Sequence, residues 1–505
     1  VPRTPSEKTD PENTGAQGST PVTSGAVRGR LDRYFHVSER DSTISREMRG
    51  GLVTFFTMAY IVVLNPIIIG GVAGSDRNAD VLGNVLPIAA VAAVTALVAG
   101  LMSIAFGVIA NYPFAIATGL GINSLLAVSI APDVTWPEAM GLVVIDGIII
   151  VLLAVTGLRS RVFAAIPAEL KAAIAAGIGC FIAFIGLVDA GFVTRTPDAA
   201  GTTVPVGLGV GNSITTLPTL VFAIGVLVMG VLVVRKVRGG LLIGIVVTTL
   251  IAVVVQAFAD LPASGNGRSG WSLNIPTWPG TIGDLPDLSL VGDVDIFGAF
   301  VRIGVLSASI FVFTLVLSNF FDAMGTMTGL GKEAGLVDAD GNLPNVGRAL
   351  VVEGVGAIAG GTASASSNTV FVESASGIAE GARTGLANVV TGLLFLVAMF
   401  FTPLYQIVPL EAAAPALVVV GALMIAQIRS IDLTRFEYAL PCFLTVVVMP
   451  FTYSIANGIG VGFISWVVLA AARGRARSVH PLLWIIAVLF VVYFAKGPIE
   501  TLIDR

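Results

Sequence analysis

The sequence predicts an all-α polytopic membrane protein, and three observations carry the prediction. Of its 505 residues, 55% are hydrophobic and only 12% charged, with a mean hydropathy of +0.91, whereas a soluble globular chain is about a quarter charged. Apolar runs of spanning character follow one another from about residue 51 to 498. Two of these runs are short and interrupted, one third among the first seven and the other third among the second seven. Matching broken segments in two halves point to an inverted-repeat transporter with its site near the bilayer midplane.

A spanning helix needs roughly 20 apolar residues. The first seven candidates are 51–72, 85–110, 114–130, 139–157, 168–187, 215–234 and 238–258. After a Gly/Pro-rich loop at 259–297 come 298–321, 347–361, 371–382, 384–403, 409–427, 437–454 and 456–472. A further run, 481–498, is either a fifteenth crossing or a helix lying in the interface, the second being the favoured expectation. Residues 1–45, rich in Pro, Ser, Thr, Gly and charge, read as a disordered tail. The first apolar run starts too late for a cleaved signal peptide, so none is expected.

Positive charge orients the spans. Arg40, Arg46 and Arg49 precede the first; Arg159 and Arg161 follow the fourth; Arg235, Lys236 and Arg238 follow the sixth; Lys332 and Arg348 follow the eighth. All fall on the side of the N-terminus, which is therefore expected to be cytoplasmic. The net charge of −4 says little about partners. Cys180 and Cys442 lack metal-site spacing, and with only His36 and His480 neither a zinc site nor a His-based triad is expected. No phosphate loop or nucleophile–base pair appears, so no enzyme is expected.

The third segment reads "NYPFAIATGLGINSLLAV" (111–128) and the tenth "GGTASASSNTVFVESASGIAEG" (360–381). Each begins extended and passes into a helix-like piece. Extended backbone cannot face lipid, because its N–H and C=O groups would go unpaired. Two such strands can pair with each other at mid-bilayer, each handing over to a half-helix whose N-terminus faces the centre. Thr118 to Asn123 and Glu373 to Ser376 would then line a polar site. Gly119, Gly121, Ser364 and Ser366 are equally readable as helix-packing residues. Glu373 is not, because an intramembrane carboxylate is a functional candidate by default. On the eighth span, Asn319 and Asp322 share a helix face, with Phe320 and Phe321 as an aromatic wall. Glu353 is a second candidate carboxylate, Asp146 reads as a structural one, and Glu380 with Arg383 as a structural ion pair.

The stretches "TFFTMAYIVVLNP" (54–66), "NYPFAIATGLGIN" (111–123), "FFDAMGT" (320–326), "VESASGIAEGARTGL" (372–386) and "MPFTYSIANGIGVGFISW" (449–466) resemble the AzgA-like purine permeases of the nucleobase–ascorbate transporter superfamily. The resemblance implies fourteen segments in two inverted repeats of seven. A core domain would comprise 46–157 and 298–403, and a gate domain 165–258 and 409–472, with 259–297 extracellular and 473–505 a C-terminal helix. It implies a bacterial plasma-membrane protein, often dimeric through its gates, that imports guanine, hypoxanthine or adenine with protons by an elevator motion. No cofactor, metal or nucleic acid is implied; the proton is the coupling ion.

Carried onto this chain, the binding residues are Glu373, Asn123, Asn319, Asp322, Phe320, Phe371, Thr118 and Ser374, and the proton carriers Asp322 and Glu353. Asn319 stands where relatives commonly carry an acid, Thr118 where they carry Pro, and Glu353 where they carry Asp; the first departure bears on substrate preference and coupling. Transport of uracil, xanthine or an anion, and a membrane receptor or enzyme, are the alternative readings.

Overall fold

A computed structural model describes residues 29–503 apart from 73–77, 159–165, 196–205, 210–212, 264–269, 273, 279, 338–342 and 345. The side chains of Phe321, Gly325, Thr328, Tyr405, Gln406 and 496–503 also lie outside the described set. So do residues 1–28 of the expected tail, together with Arg159 and Arg161.

The chain runs α1 (Arg30–Phe35), α2 (Ile44–Met58), α3 (Ile61–Ile69), β1 (Gly70–Gly71), β2 (Leu86–Pro87), α4 (Ile88–Ala110), β3 (Ile116–Thr118), α5 (Leu120–Leu125) and α6 (Trp136–Val155). Then follow α7 (Ala168–Asp189), β4 (Val193–Arg195), β5 (Val206–Leu208), α8 (Leu217–Val234) and α9 (Gly240–Ala259). The second half comprises α10 (Gly298–Arg302), α11 (Gly304–Glu333), α12 (Val346–Thr362), β6 (Asn368–Val370), α13 (Ser374–Ala379) and α14 (Gly385–Ala398). It closes with α15 (Leu410–Ile425), α16 (Phe436–Phe451), α17 (Ile455–Ala472) and α18 (Pro481–Ile503). Among the described residues ten helices are long and apolar enough to cross a membrane, counting α2 with α3 as one; the other expected segments are shorter.

Local chemistry sets several of these boundaries. Thr135 and Glu138 form a capping box that starts α6. Gly304, at φ +80°, separates α10 from α11. The helices fall into two packing groups. In one, α12 lies on α6 and α4, and α14 on α4 and α2. In the other, α15 lies on α7 and α8, and α16 on α7 and α17. Small residues permit close approach: a Cβ on Gly107 would come within 2.9 Å of Asn388 Cβ.

Four expectations need correction. Residues 30–45 are not a free tail: Arg40 donates to the carbonyls of Asn111 (2.6 Å) and Arg383 (2.9 Å). Buried Glu47 accepts from the Arg383 and Thr384 amides, so this segment satisfies backbone groups that the sequence could not pair. The first span begins at Ile44 rather than 51 and loosens into a turn at Ala59–Tyr60, where the backbone stays helical, with Pro66 inside α3. The eighth continues to Glu333, which puts Asn319 and Asp322 mid-helix. Lastly, α18 does not lie crosswise as an interfacial helix would. It runs antiparallel to α17, with Phe490 against Gly460 and the Tyr493 hydroxyl donating to Asn457 Oδ1 at 3.2 Å.

The expected pair between Glu380 and Arg383 is also replaced. Glu380 pairs with Arg49 of α2 at 2.8 Å and with Arg238, just before α9. Arg383 instead donates to the Ile378 and Ala382 carbonyls. One carboxylate thus gathers Arg49 and Arg238 at one end of the helices.

Candidate functional site

The two broken segments meet. β3 and β6 pair antiparallel in the register Ile116↔Val370, Ala117↔Thr369 and Thr118↔Asn368. The ladder extends at both ends, from Phe371 N–H to Ala115 O and from Gly119 N–H to Ser367 O, each 3.0 Å. This pairing is what lets extended chain sit among apolar helices. β3 hands over to α5, and β6 is followed by α13.

Side chains around the crossing satisfy the remaining backbone. Ser103 Oγ bonds both N–H and C=O of Ile116. Asn388 donates to the Tyr112 and Phe114 carbonyls. The turn into β6 holds Ser364 and Ser366 at φ +55° and +76°, the left-handed region that non-glycine residues rarely adopt. These serines are therefore turn residues rather than helix-packing ones.

Glu373 lies between β6 and α13, at the N-cap of the latter. Tyr60, at the turn between α2 and α3, donates a 2.5 Å hydrogen bond to its Oε1. Thr57 Oγ1 donates to the Glu373 carbonyl at 3.3 Å. Among the described residues no Lys or Arg pairs with Glu373. Glu373 is half-buried while Tyr60 is buried.

Asp322 on α11 is also half-buried. It faces Thr369 of β6 and lies in the field of Glu353 and Glu373. A Cβ on Gly119 would fall 3.1 Å from Thr369 Cγ2 and 3.8 Å from Asp322 Oδ2. Glycine at 119 therefore lets β6 close on the start of α5. Glu353 is fully buried on α12.

The other expected site residues are turned toward neighbours. Asn123 donates through Nδ2 to Thr118 Oγ1 at 2.6 Å, and both are buried. Ser374 Oγ accepts the Ala115 N–H at 3.0 Å, holding α13 against the strand before β3. Asn319 donates to Asp146 Oδ2 at 3.2 Å and to Ser367 Oγ at 3.0 Å, and Ser367 also donates to Asp146. Asp146 is thus a buried structural carboxylate, as expected, but Asn319 is its partner. Phe320 and Phe371 are buried in the apolar core; the Phe321 side chain lies outside the described residues.

Sequence reasoning missed Tyr60. Its signal was a hydroxyl inside an apolar run, which needs an acceptor when buried.

The chain matches the permease family Xan_ur_permease over residues 45–461. It is 37% identical over 470 residues to the guanine/hypoxanthine permease PbuG of Bacillus subtilis, covering 92% of this chain and 99% of that one. It is 36% identical over 476 residues to the adenine permease AdeP of Escherichia coli, covering 94% and 97%. The nucleobase transporter PlAzg2 of Paenibacillus larvae is 31% identical over 423 residues, covering 83% and 76%. In fold, the chain resembles the transmembrane domain of the cyanobacterial bicarbonate transporter BicA, with a TM-score of 0.58 at 17% identity, covering 82% of this chain and 96% of that one. It also resembles the murine anion transporter Slc26a9, with a TM-score of 0.57 at 12% identity, covering 92% and 77%.

Proposed function

The chain belongs to the permease family Xan_ur_permease, and from that premise we propose that it is a secondary active transporter importing purine nucleobases, guanine and hypoxanthine foremost and adenine as well, by proton symport. The relatives' names support the substrate class. The observation that carries the reading is Glu373: an intramembrane carboxylate beside paired strands, partly exposed, oriented by Tyr60 and paired with no cation among the described residues.

Such a carboxylate accepts hydrogen bonds. Guanine offers N1–H and its exocyclic amine side by side, a bidentate match; hypoxanthine offers N1–H alone. Tyr60 occupies one lone pair of Oε1 and fixes the direction of the carboxylate, whose remaining acceptor sites face the base. Thr118, Asn123 and Ser374 hold the strand ends and adjoining helices around the base, Asn319 fixes α11 beside it through Asp146 and Ser367, and Phe320 and Phe371 supply the apolar surroundings. Asp322 is the proton carrier, with Glu353 behind it.

In this reading residues 46–157 and 298–403 form a core and 165–258 and 409–472 a gate, a division that the two packing groups support. Elevator-type access is the motion of one past the other. Homodimerisation through the gates and a cytoplasmic N-terminus in a bacterial plasma membrane complete the reading. The test is uptake of labelled hypoxanthine against a panel of unlabelled nucleobases, with and without a protonophore. Competition by guanine, and loss of accumulation with the protonophore, are expected. Competition by uracil alone, or accumulation indifferent to the protonophore, would refute it.

A further inference from the structure

Away from the strand crossing, a cavity of about 330 Å³ opens where α16 begins, α17 ends and α18 begins, beside Pro167 at the start of α7. Its charge is unbalanced. The Glu437 carboxylate is shared by Arg435, Arg473 and Arg475, the last at 3.6 Å. Three guanidiniums face the Glu437 carboxylate, with Asp432 also near Arg435, which leaves the cavity with net positive charge. The side chains of Arg473 and Arg475 are both more than half exposed. His480 also lines the cavity, its Nδ1 accepting the Leu482 amide at 3.3 Å. The wall is aromatic. Tyr438 stacks on Trp466 with ring centroids 5.1 Å apart, and the Arg435 guanidinium lies 4.4 Å above the Tyr438 ring.

A purely solvated charged surface needs no aromatic wall. A soluble-anion site would not be expected at the end of apolar helices beside an exposed apolar face. Here Ile485 and Leu489 of α18, one and two turns beyond the cavity, are about half exposed. Excess guanidinium charge, stacked Trp and Tyr, and an adjoining apolar flank are the three parts of a lipid site at the membrane–water boundary.

We propose that this cavity binds the headgroup of an anionic phospholipid. Arg473 and Arg475 take the phosphate oxygens in the bidentate manner that suits guanidinium. Tyr438 and Trp466 seat the glycerol region, and an acyl chain runs along α18. The lipid would tie together the ends of four helices, α7, α16, α17 and α18, which otherwise meet around a charged gap.

The test uses the full chain purified in detergent and native mass spectrometry of bound lipid. The probes are phosphatidylglycerol, phosphatidylcholine and inorganic phosphate. Retention of phosphatidylglycerol over phosphatidylcholine by wild-type protein, undiminished by excess inorganic phosphate, is expected. The double variant Arg473→Ala/Arg475→Ala should retain phosphatidylglycerol about thirtyfold less well, and Arg473→Lys/Arg475→Lys should largely keep it. The lysine pair separates lost charge from lost folding, and the comparison of lipids on wild-type protein needs no variant. Equal retention of both lipids, full retention by the alanine pair, or displacement by free phosphate would each overturn the proposal, the last by making the ligand a soluble anion.

Discussion

The Tyr60 hydroxyl donates a 2.5 Å hydrogen bond to Glu373 Oε1, joining the turn between α2 and α3 to the N-cap of α13 across 313 residues of chain. Neither residue needs the other for its local structure. The bond therefore serves to hold the carboxylate, and removing it should be felt in binding before it is felt in folding. Tyr60→Phe keeps the ring and deletes the donor. A hydrogen bond to a charged group contributes roughly 1.5–3 kcal/mol, so the apparent KM for purine uptake should rise about tenfold or more. Uptake kinetics at matched membrane abundance check this; an unchanged KM would remove Tyr60 from the site.

Asn319 donates to both Asp146 and Ser367, and all three are buried. Asn319→Leu leaves Asp146 without that donor inside the helix bundle. The loss should be about 2 kcal/mol or more of stability, seen as a lowered melting temperature of the purified protein. A melting temperature equal to wild type would mean the network carries no structural weight.

Asp322 is partly exposed and lies in the field of two further acids, Glu353 and Glu373. If it carries the proton, Asp322→Asn should still exchange labelled for unlabelled purine across vesicles but should not accumulate it against a gradient. Concentrative uptake in an imposed pH gradient is the readout. Accumulation at the wild-type ratio would assign coupling elsewhere.

Glu380, after α13, pairs with Arg238, just before α9, and so links the two packing groups. A motion of one group past the other must separate these residues. Arg238→Cys with Glu380→Cys, in a background lacking Cys180 and Cys442, should lose uptake on treatment with a short bifunctional thiol reagent, to below about a tenth of the untreated rate. Each single cysteine variant should be indifferent to the reagent. Full uptake after verified cross-linking would exclude relative motion at this contact.

Much of this centre was legible in the sequence, and the reasons are local. Tyr-Pro and "TVFV" announce extended chain, Gly119 and Gly121 follow the first strand, and a carboxylate in an apolar setting marks a candidate. The antiparallel pairing of Ile116–Thr118 with Asn368–Val370 follows from the need to satisfy backbone groups. Long-range partnerships were not legible. Glu380 was matched with its nearest cation, Arg383, whereas the fold supplies Arg49 and Arg238. Asn319 was read toward the site, but Asp146, 173 residues away, takes its amide. Residues around Arg40 looked like a solvated tail because the carbonyls they bond, at 111 and 383, come close only after folding.

The central claim is that the Glu373 carboxylate, presented beside the paired strands, reads the N–H edge of a purine. Equilibrium binding of guanine and hypoxanthine to purified wild-type protein and to Glu373→Gln tests it without the complications of uptake. The carboxamide keeps the shape but replaces one acceptor oxygen with a donor and removes the charge, so affinity should fall about a hundredfold while the melting temperature holds. Binding of both purines at wild-type affinity by Glu373→Gln would contradict the account.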